Sequence, residues 1–401
     1  MTIKRSPNDF LVDEILSGPY TEGIRHEPRA FALYRLTKQG RSTPEAAGAL
    51  ACVLGVPPGQ VAHAGLKDKH AATTQYVTAP ARESPEAADG PGWRAERVGW
   101  VDAPIMAEAI AANRFCIVVR DLAHEACEWM AAAARLLTPE DRGASAAAKC
   151  VFVNYFGDQR FGSARHGRGF LARHLVRGEF EEALHLALAT WARKDNRAVK
   201  EFKRAVADGW GRWQDLAARL RRCPERRAIE HLAQAPGDFA GAFAALPYGE
   251  QELAVHAYQS YLWNTTARRL VAARCAGPGP VLAAKDPFGE MLFPAPQNVP
   301  ADLTDLDLPV LGRDTALGEP WRAAAEETLA EEGITTALLR IPGLRRPQFG
   351  EAPRRLFVSA TGFEMAPPEK DDQGPRRLKV TLRFDLPRGA YATVLLRALG
   401  Q

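Results

Sequence analysis

Leu378-Lys379-Val380-Thr381-Leu382-Arg383-Phe384-Asp385-Leu386 alternates apolar and polar residues without a break. Leu378, Val380, Leu382 and Phe384 fall on one face, and Lys379, Thr381, Arg383 and Asp385 on the other. This is the period of a half-buried β-strand. A turn, Pro387-Arg388-Gly389, follows, and then a helix predicted over 391–399. One strand and one helix cannot bury their apolar faces by themselves. They complete a sheet begun much earlier in the chain, which makes the stretch between an insertion.

Residues 1–157 supply the rest of that sheet. Phe10-Leu11-Val12, 30–36 and 73–78 read as strands, and 114–120 alternates with Phe115, Ile117 and Val119 on one face. Ser42-Thr43-Pro44-Glu45 has capping-box spacing with a proline in the first turn, and so opens a helix over 46–54. A second helix is predicted over 125–137. The Pro/Gly-rich run 84–93 reads as a surface loop. From 158 the texture is helical, with a loop-rich section over 277–309. The expected organisation is α+β: a mixed, largely antiparallel sheet with flanking helices, formed by 1–157 and 346–401 and interrupted by a mainly helical domain over 158–345.

The composition suits such a protein and excludes several classes. The chain has 401 residues, 46% hydrophobic and 25% charged, which is globular rather than disordered. No run of 18 apolar residues offers a membrane span, and the opening MTIKRSPNDF lacks the apolar core of a secretion signal. Six scattered cysteines without a CxxC pair indicate free thiols and a reducing, cytoplasmic setting. The formal charge of +4 is unevenly spread. Residues 158–230 hold 17 Lys/Arg against 10 Asp/Glu, a net of +7, so the remainder sums to −3. This excess, with Trp191, Trp210 and Trp213 among it and Arg193 and Lys194 in its densest part, could form solvated helix faces or a polyanion-facing surface.

The chain has no GxxxxGK[ST], GxGxxG, HExxH or GxSxG, and no Cys/His set has metal spacing. The most unusual local segment is Gly65-Leu66-Lys67-Asp68-Lys69-His70. It places one carboxylate between two lysines, just past a glycine that permits a tight turn. Cations beside an aspartate lower its pKa and keep it ionised, as a nucleophile or base requires. Taken alone, the segment is also consistent with a charged surface turn.

Ala64–Ala71 followed by Thr73-Thr74-Gln75 resembles the catalytic motif of the TruD family of tRNA pseudouridine synthases. Further resemblances run in family order along nearly the whole chain. They are Lys4 with Pro7–Glu14, Asn113-Arg114-Phe115, Asn154–Gly162, Ala257–Asn264 and Leu386–Thr393. The resemblance implies a pseudouridine synthase catalytic domain split by a family-specific insertion, with RNA in a basic cleft between the two. The reaction would detach the uracil of a flipped uridine, typically U13 of the D-stem, and rejoin it through C5. It is an isomerisation that needs no metal or organic cofactor.

Carried over by resemblance, Asp68 is the catalytic residue, held charged by Lys4 and supported by Asn113. Phe115 would stack on the flipped base, with Lys67 and Arg160 as further substrate contacts. The partner is tRNA, and the protein is expected to be a monomer. The segment before Asn113 departs from the family pattern: it has no Lys or Arg between Arg97 and Arg114, so few phosphate contacts are expected from that edge. The alternative function is a non-catalytic RNA-binding or RNA-chaperone protein of the same architecture. Intact Asp68, Lys4, Asn113 and Phe115 weigh against it, since a carboxylate in an RNA cleft repels phosphate.

Overall fold

The computed structural model describes residues 2–81, 84–139, 148–164, 169–192, 195–275, 277, 279–374 and 376–400. Strands run in chain order as β1 (Phe10–Leu16), β2 (Phe31–Lys38), β3 (Ala62–His63), β4 (Ala72–Pro80), β5 (Ala87–Gly90), β6 (Trp93–Val101), β7 (Ile110–Leu122) and β8 (Lys149–Val153). Then come β9 (Val281–Asp286), β10 (Gly289–Pro294), β11 (Phe357–Met365), β12 (Glu369–Lys370) and β13 (Leu378–Pro387). The chain divides into two compact units. The first is Met1–Phe152, Ala295–Gln297 and Val358–Gln401; the second is Val153–Pro294 and Asn298–Phe357.

The first unit is built on an 11-stranded sheet in the order β5-β6-β2-β4-β1-β7-β13-β11-β8, with β12 on β13 and β3 on β4. The pairing of β1 with β4 is parallel, whereas β7 pairs antiparallel with both β1 and β13. The alternation of 378–386 is thus explained. Val380, Leu382, Phe384 and Leu386 are buried, and the strand lies inside the sheet, opposite Ile117 and Phe115 of β7. Phe115, Ile117 and Val119 are buried on the matching face. The helix Thr43–Val53 opens on Ser42, whose hydroxyl accepts the Glu45 N–H while Glu45 returns to the Ser42 N–H. Its Ala46, Ala47, Leu50 and Ala51 pack on Tyr34, Leu36 and Val77. The helix His124–Leu136 and the C-terminal helix Ala392–Ala398 also lie in this unit.

The second unit centres on the 27-residue helix Tyr248–Arg274, which is buried around much of its circumference by shorter helices. Asn264 of this helix holds the Phe156 backbone from both sides, accepting its N–H at 2.8 Å and donating to its C=O at 3.0 Å. Tyr155 meets Trp263 and Phe293 edge to face. The Asn154–Gly162 and Ala257–Asn264 motifs are therefore joined through this unit's core.

Two expected loops contain strands. Within 84–93, Ala87–Gly90 pairs with Trp93–Val101 as a hairpin, and a sequence of Ala-Ala-Asp-Gly has no β-branched residue to announce it. Within 277–309, β9 and β10 form a two-stranded hairpin of their own. Of the three tryptophans in the basic stretch, Trp213 is buried and Trp210 packs against it and His185. Trp191 stays exposed, with the Arg204 guanidinium 5.4 Å from its ring. Arg193 and Lys194 lie outside the described residues. Among the described residues no helix is long and apolar enough to cross a membrane.

Candidate active site

Cross-strand partners share a face of a sheet, so the register of the first unit spells out two rows of side chains across its middle. One row runs Trp93, Lys38, Thr73, Val12, Phe115, Phe384. Two residues along each strand, Leu36 pairs with Gln75, and Glu14, Asn113 and Leu386 lie abreast. The face is apolar at both ends but carries Lys38, Thr73, Gln75, Glu14 and Asn113 between them. Such a polar interruption needs partners.

Most of them come from the Gly65–His70 turn. The Lys67 ammonium lies 2.6 Å from Glu14 Oε1, and Glu14 Oε2 accepts the Tyr76 N–H at 2.9 Å. The Lys67 N–H donates to Thr43 Oγ1, whose hydroxyl donates to Gln75 Oε1 at 2.8 Å. Lys38, 1% exposed, donates its ammonium to the Asp68 carbonyl at 2.9 Å. Desolvation holds this lysine down to about 8, opposed by the Asp68 charge. Sheet, helix start and turn are thereby fastened into one support for Asp68.

The Asp68 side chain is paired on both oxygens: Oδ2 takes the Lys4 ammonium, and Oδ1 accepts the His70 N–H at 2.9 Å. Burial pushes this carboxyl up, but the Lys4 hydrogen bond, the His70 N–H and the Lys4 charge together bring it below the ordinary aspartate value. Lys4 is itself held in a left-handed backbone conformation, φ 62°, and its ammonium also stands 4.2 Å from the Phe10 ring centre. The segment before β1 tolerates this because both its ends are tied. Thr2 exchanges backbone hydrogen bonds with Arg120, and Asp9 accepts both the Ser6 N–H and the Arg120 guanidinium.

The first unit therefore brings together Asp68, Lys4, Lys67, Asn113 and Phe115. Asn113 Oδ1 and Thr73 Oγ1 are buried and find no hydrogen-bond partner among the described residues. Phe115, expected to stack on a base, is 8% exposed, stacked on Phe384 with centroids 5.4 Å apart and edge-on to Phe10. Arg160 belongs to the second unit, where its guanidinium reaches Ser260 Oγ at 3.4 Å and lies 5.8 Å from the Phe156 ring. Lys38 and Arg120 escape sequence reading. Lys38 gives one signal, the inward parity it shares with Tyr34 and Leu36. Arg120 gives none, because its carboxylate partners Asp9, Asp371 and Asp372 are distant in the chain.

The family model for tRNA pseudouridine synthase D (TruD) matches residues 1–285 and 295–399. An Aquifex aeolicus protein named tRNA pseudouridine synthase D is 29% identical, with 99% of this chain and 97% of the relative covered. A Methanococcus maripaludis protein named Probable tRNA pseudouridine synthase D 1 is 27% identical, with 99% and 98% covered. The solved structure of a Methanosarcina mazei protein assigned to TruD superposes with a TM-score of 0.70 at 23% identity, covering 99% of this chain and 92% of that one, a likeness of fold. With a sheet of the same fold, a pinned aspartate turn and a family match from end to end, the chain belongs to the tRNA pseudouridine synthase D (TruD) family.

Proposed function

We propose that this protein isomerises a uridine of tRNA to pseudouridine, with U13 of the D-stem as the target and Asp68 as the catalytic carboxylate. The observation that carries this reading is the Asp68 turn itself: a carboxylate kept charged by Lys4 and held over a polar interruption whose acceptors are not all used. Attack at C1′, addition to the uracil ring and removal of a ribose proton all require an ionised aspartate, and Lys4 secures that state.

The unpartnered Asn113 Oδ1 suits a polar edge of the flipped base, such as the imide N–H of uracil, while packed Phe115 gives the base an apolar floor. Lys67, anchored to Glu14, sets the turn and adds positive potential toward phosphate. Arg160 contributes to substrate from the second unit. Extruding the uridine costs a few kcal/mol, which contacts to the rest of the RNA must offset. The reading places the protein in the cytoplasm as a monomer whose partner is tRNA. The chemistry asks for no metal or organic cofactor.

The test is chemical mapping of pseudouridine in tRNA incubated with wild-type protein and with Asp68→Asn. Wild type should modify position 13. The variant should yield no product while binding tRNA within about tenfold, or 1.4 kcal/mol. Product from Asp68→Asn at the wild-type rate would remove the aspartate from its role. Modification at another position would overturn the choice of U13. Binding without any wild-type product would favour an RNA-chaperone instead.

A further inference from the structure

The long helix Tyr248–Arg274 fastens two distant segments of the second unit to each other. The Gln259 amide, 2% exposed, donates to the carbonyls of both Leu311 and Gly350 at 2.8 Å, and Trp263 donates to Leu308 at 2.9 Å. Gly312 sits where a Cβ would stand 2.7 Å from the Phe349 carbonyl oxygen, so the two backbones touch closely. Thr315 Oγ1 accepts the Gly312 N–H at 2.9 Å and donates to Glu351 at 2.6 Å. Beside this seam, residues 339–345 and 347–349 shape, with Arg313 and Asp314, a concavity of about 600 Å³.

Three arginines line this concavity, Arg313, Arg340 and Arg345, and Arg346 follows directly. All four are exposed. The lining has a single carboxylate, Asp314, which is 96% exposed and 4.0 Å from Arg313. Arg340, Arg345 and Arg346 form no ion pair among the described residues. Elsewhere in the same unit Arg173, Arg269 and Arg274 each hold a carboxylate. Guanidiniums that share one concave surface with a single carboxylate among them focus positive potential there. Each also presents a planar fork that fits two phosphate oxygens.

We infer that this arginine-lined concavity is a binding site for backbone phosphates of the RNA substrate. The inference rests on the proposed function for the identity of the RNA but not for its chemistry, since phosphate recognition here is independent of Asp68. It puts strong RNA contact on 313 and 340–346, outside the basic 158–230 stretch that composition alone singles out. There Arg197 and Arg226 are paired with Glu201 and Glu230.

The experiment measures tRNA affinity of the full chain carrying Asp68→Asn across a salt series, before and after adding Arg340→Ala and Arg345→Ala. Binding at low salt should weaken at least tenfold. The slope of log K against log salt should fall by about two, near 0.9 for each phosphate that the protein ceases to neutralise. Arg340→Lys with Arg345→Lys should keep most of the slope. Unchanged affinity and slope in the alanine pair would overturn the site. So would an equal loss from Arg221→Ala with Arg222→Ala, since any two exposed arginines would then serve. If wild type makes no pseudouridine but the alanine pair still loses binding and slope, the proposed reaction falls and the phosphate site stands. If turnover is normal in mapping and the pair binds like its parent, the site alone falls.

Discussion

Two buried charge clusters of the first unit both draw on strand β7, and they are built on opposite plans. At one end Arg120 is saturated with carboxylates. Its guanidinium takes Asp9 at 2.9 Å, Asp371 at 2.7 Å and Asp372 at 2.8 Å. The carboxylates in turn accept backbone N–H groups from Ser6, Asp121 and Gln373. Over the middle of the same sheet, Lys38 has only carbonyl partners, and Asn113 and Thr73 keep unused acceptors. A charge surrounded by opposite charges holds chain segments in place, whereas a network with acceptors to spare is prepared for a ligand. The saturated cluster also serves the open one, because Arg120 and Asp9 tie down the segment that presents Lys4 to Asp68.

Breaking the saturated cluster should cost the most stability. Arg120→Met leaves buried carboxylates unpaired and should lower the free energy of unfolding by about 3–5 kcal/mol in urea titration. Asp68→Asn should change it by about 1 kcal/mol or less while abolishing turnover. The reverse pattern would erase the distinction between the clusters. Lys38→Met sharpens it: kcat should fall roughly 10–100-fold, within the range for a misplaced catalytic group. Stability should move by no more than about 1 kcal/mol, because the lost hydrogen bond is offset by removing an ill-solvated ammonium.

Lys4→Ala tests the electrostatics by pH. The folded-state pKa of Asp68 is depressed, so its stabilising contribution is present above the ordinary aspartate value of about 3.9 and is lost as pH falls through the lower folded value. Without Lys4, burial opposes ionisation with less resistance. The acid limb of kcat should therefore move to higher pH, and a limb left unmoved would separate Lys4 from the carboxylate. The smallest effect is expected on the other face of the sheet. There Arg114 pairs with Asp385 through two contacts of 2.9 and 3.0 Å but is 63% exposed. Arg114→Ala should cost less than about 1 kcal/mol and leave turnover within about twofold.

What sequence could show follows from the range of each signal. The alternation over 378–386, the capping box at Ser42 and the parity of 114–120 are local, and each is found in the structure as an element with the expected buried face. The Asp68 turn stands out because its unusual residues are contiguous. Its surroundings do not: Lys4 and Asn113 are reached only through the family resemblance, and Lys38 and Glu14 are missed, because Lys38, Glu14 and Asn113 converge only through a register that pairs β4 with β2 and β1, and β1 with β7. Arg120 is the extreme case, with partners 111 and 251 residues away. The hairpin β9–β10 is missed for a different reason: one strand, Val281–Asp286, has no buried residue, so it carries little hydrophobic pattern to detect.

The place of β13 between β7 and β11 has a consequence for synthesis on the ribosome. β7 ends at Leu122 and its partner begins at Leu378, so the central ladder cannot close until everything between has been translated. At 5–20 residues per second that is roughly 10–50 s in which β7, already flanked by β1, keeps its other edge open. An open strand edge of that length invites pairing with other chains. All residues of the second unit, through Phe357, are made before β13, so the nascent protein passes through a stage in which that unit can fold while Phe115 and Asn113 still lack their β13 neighbours Phe384 and Leu386.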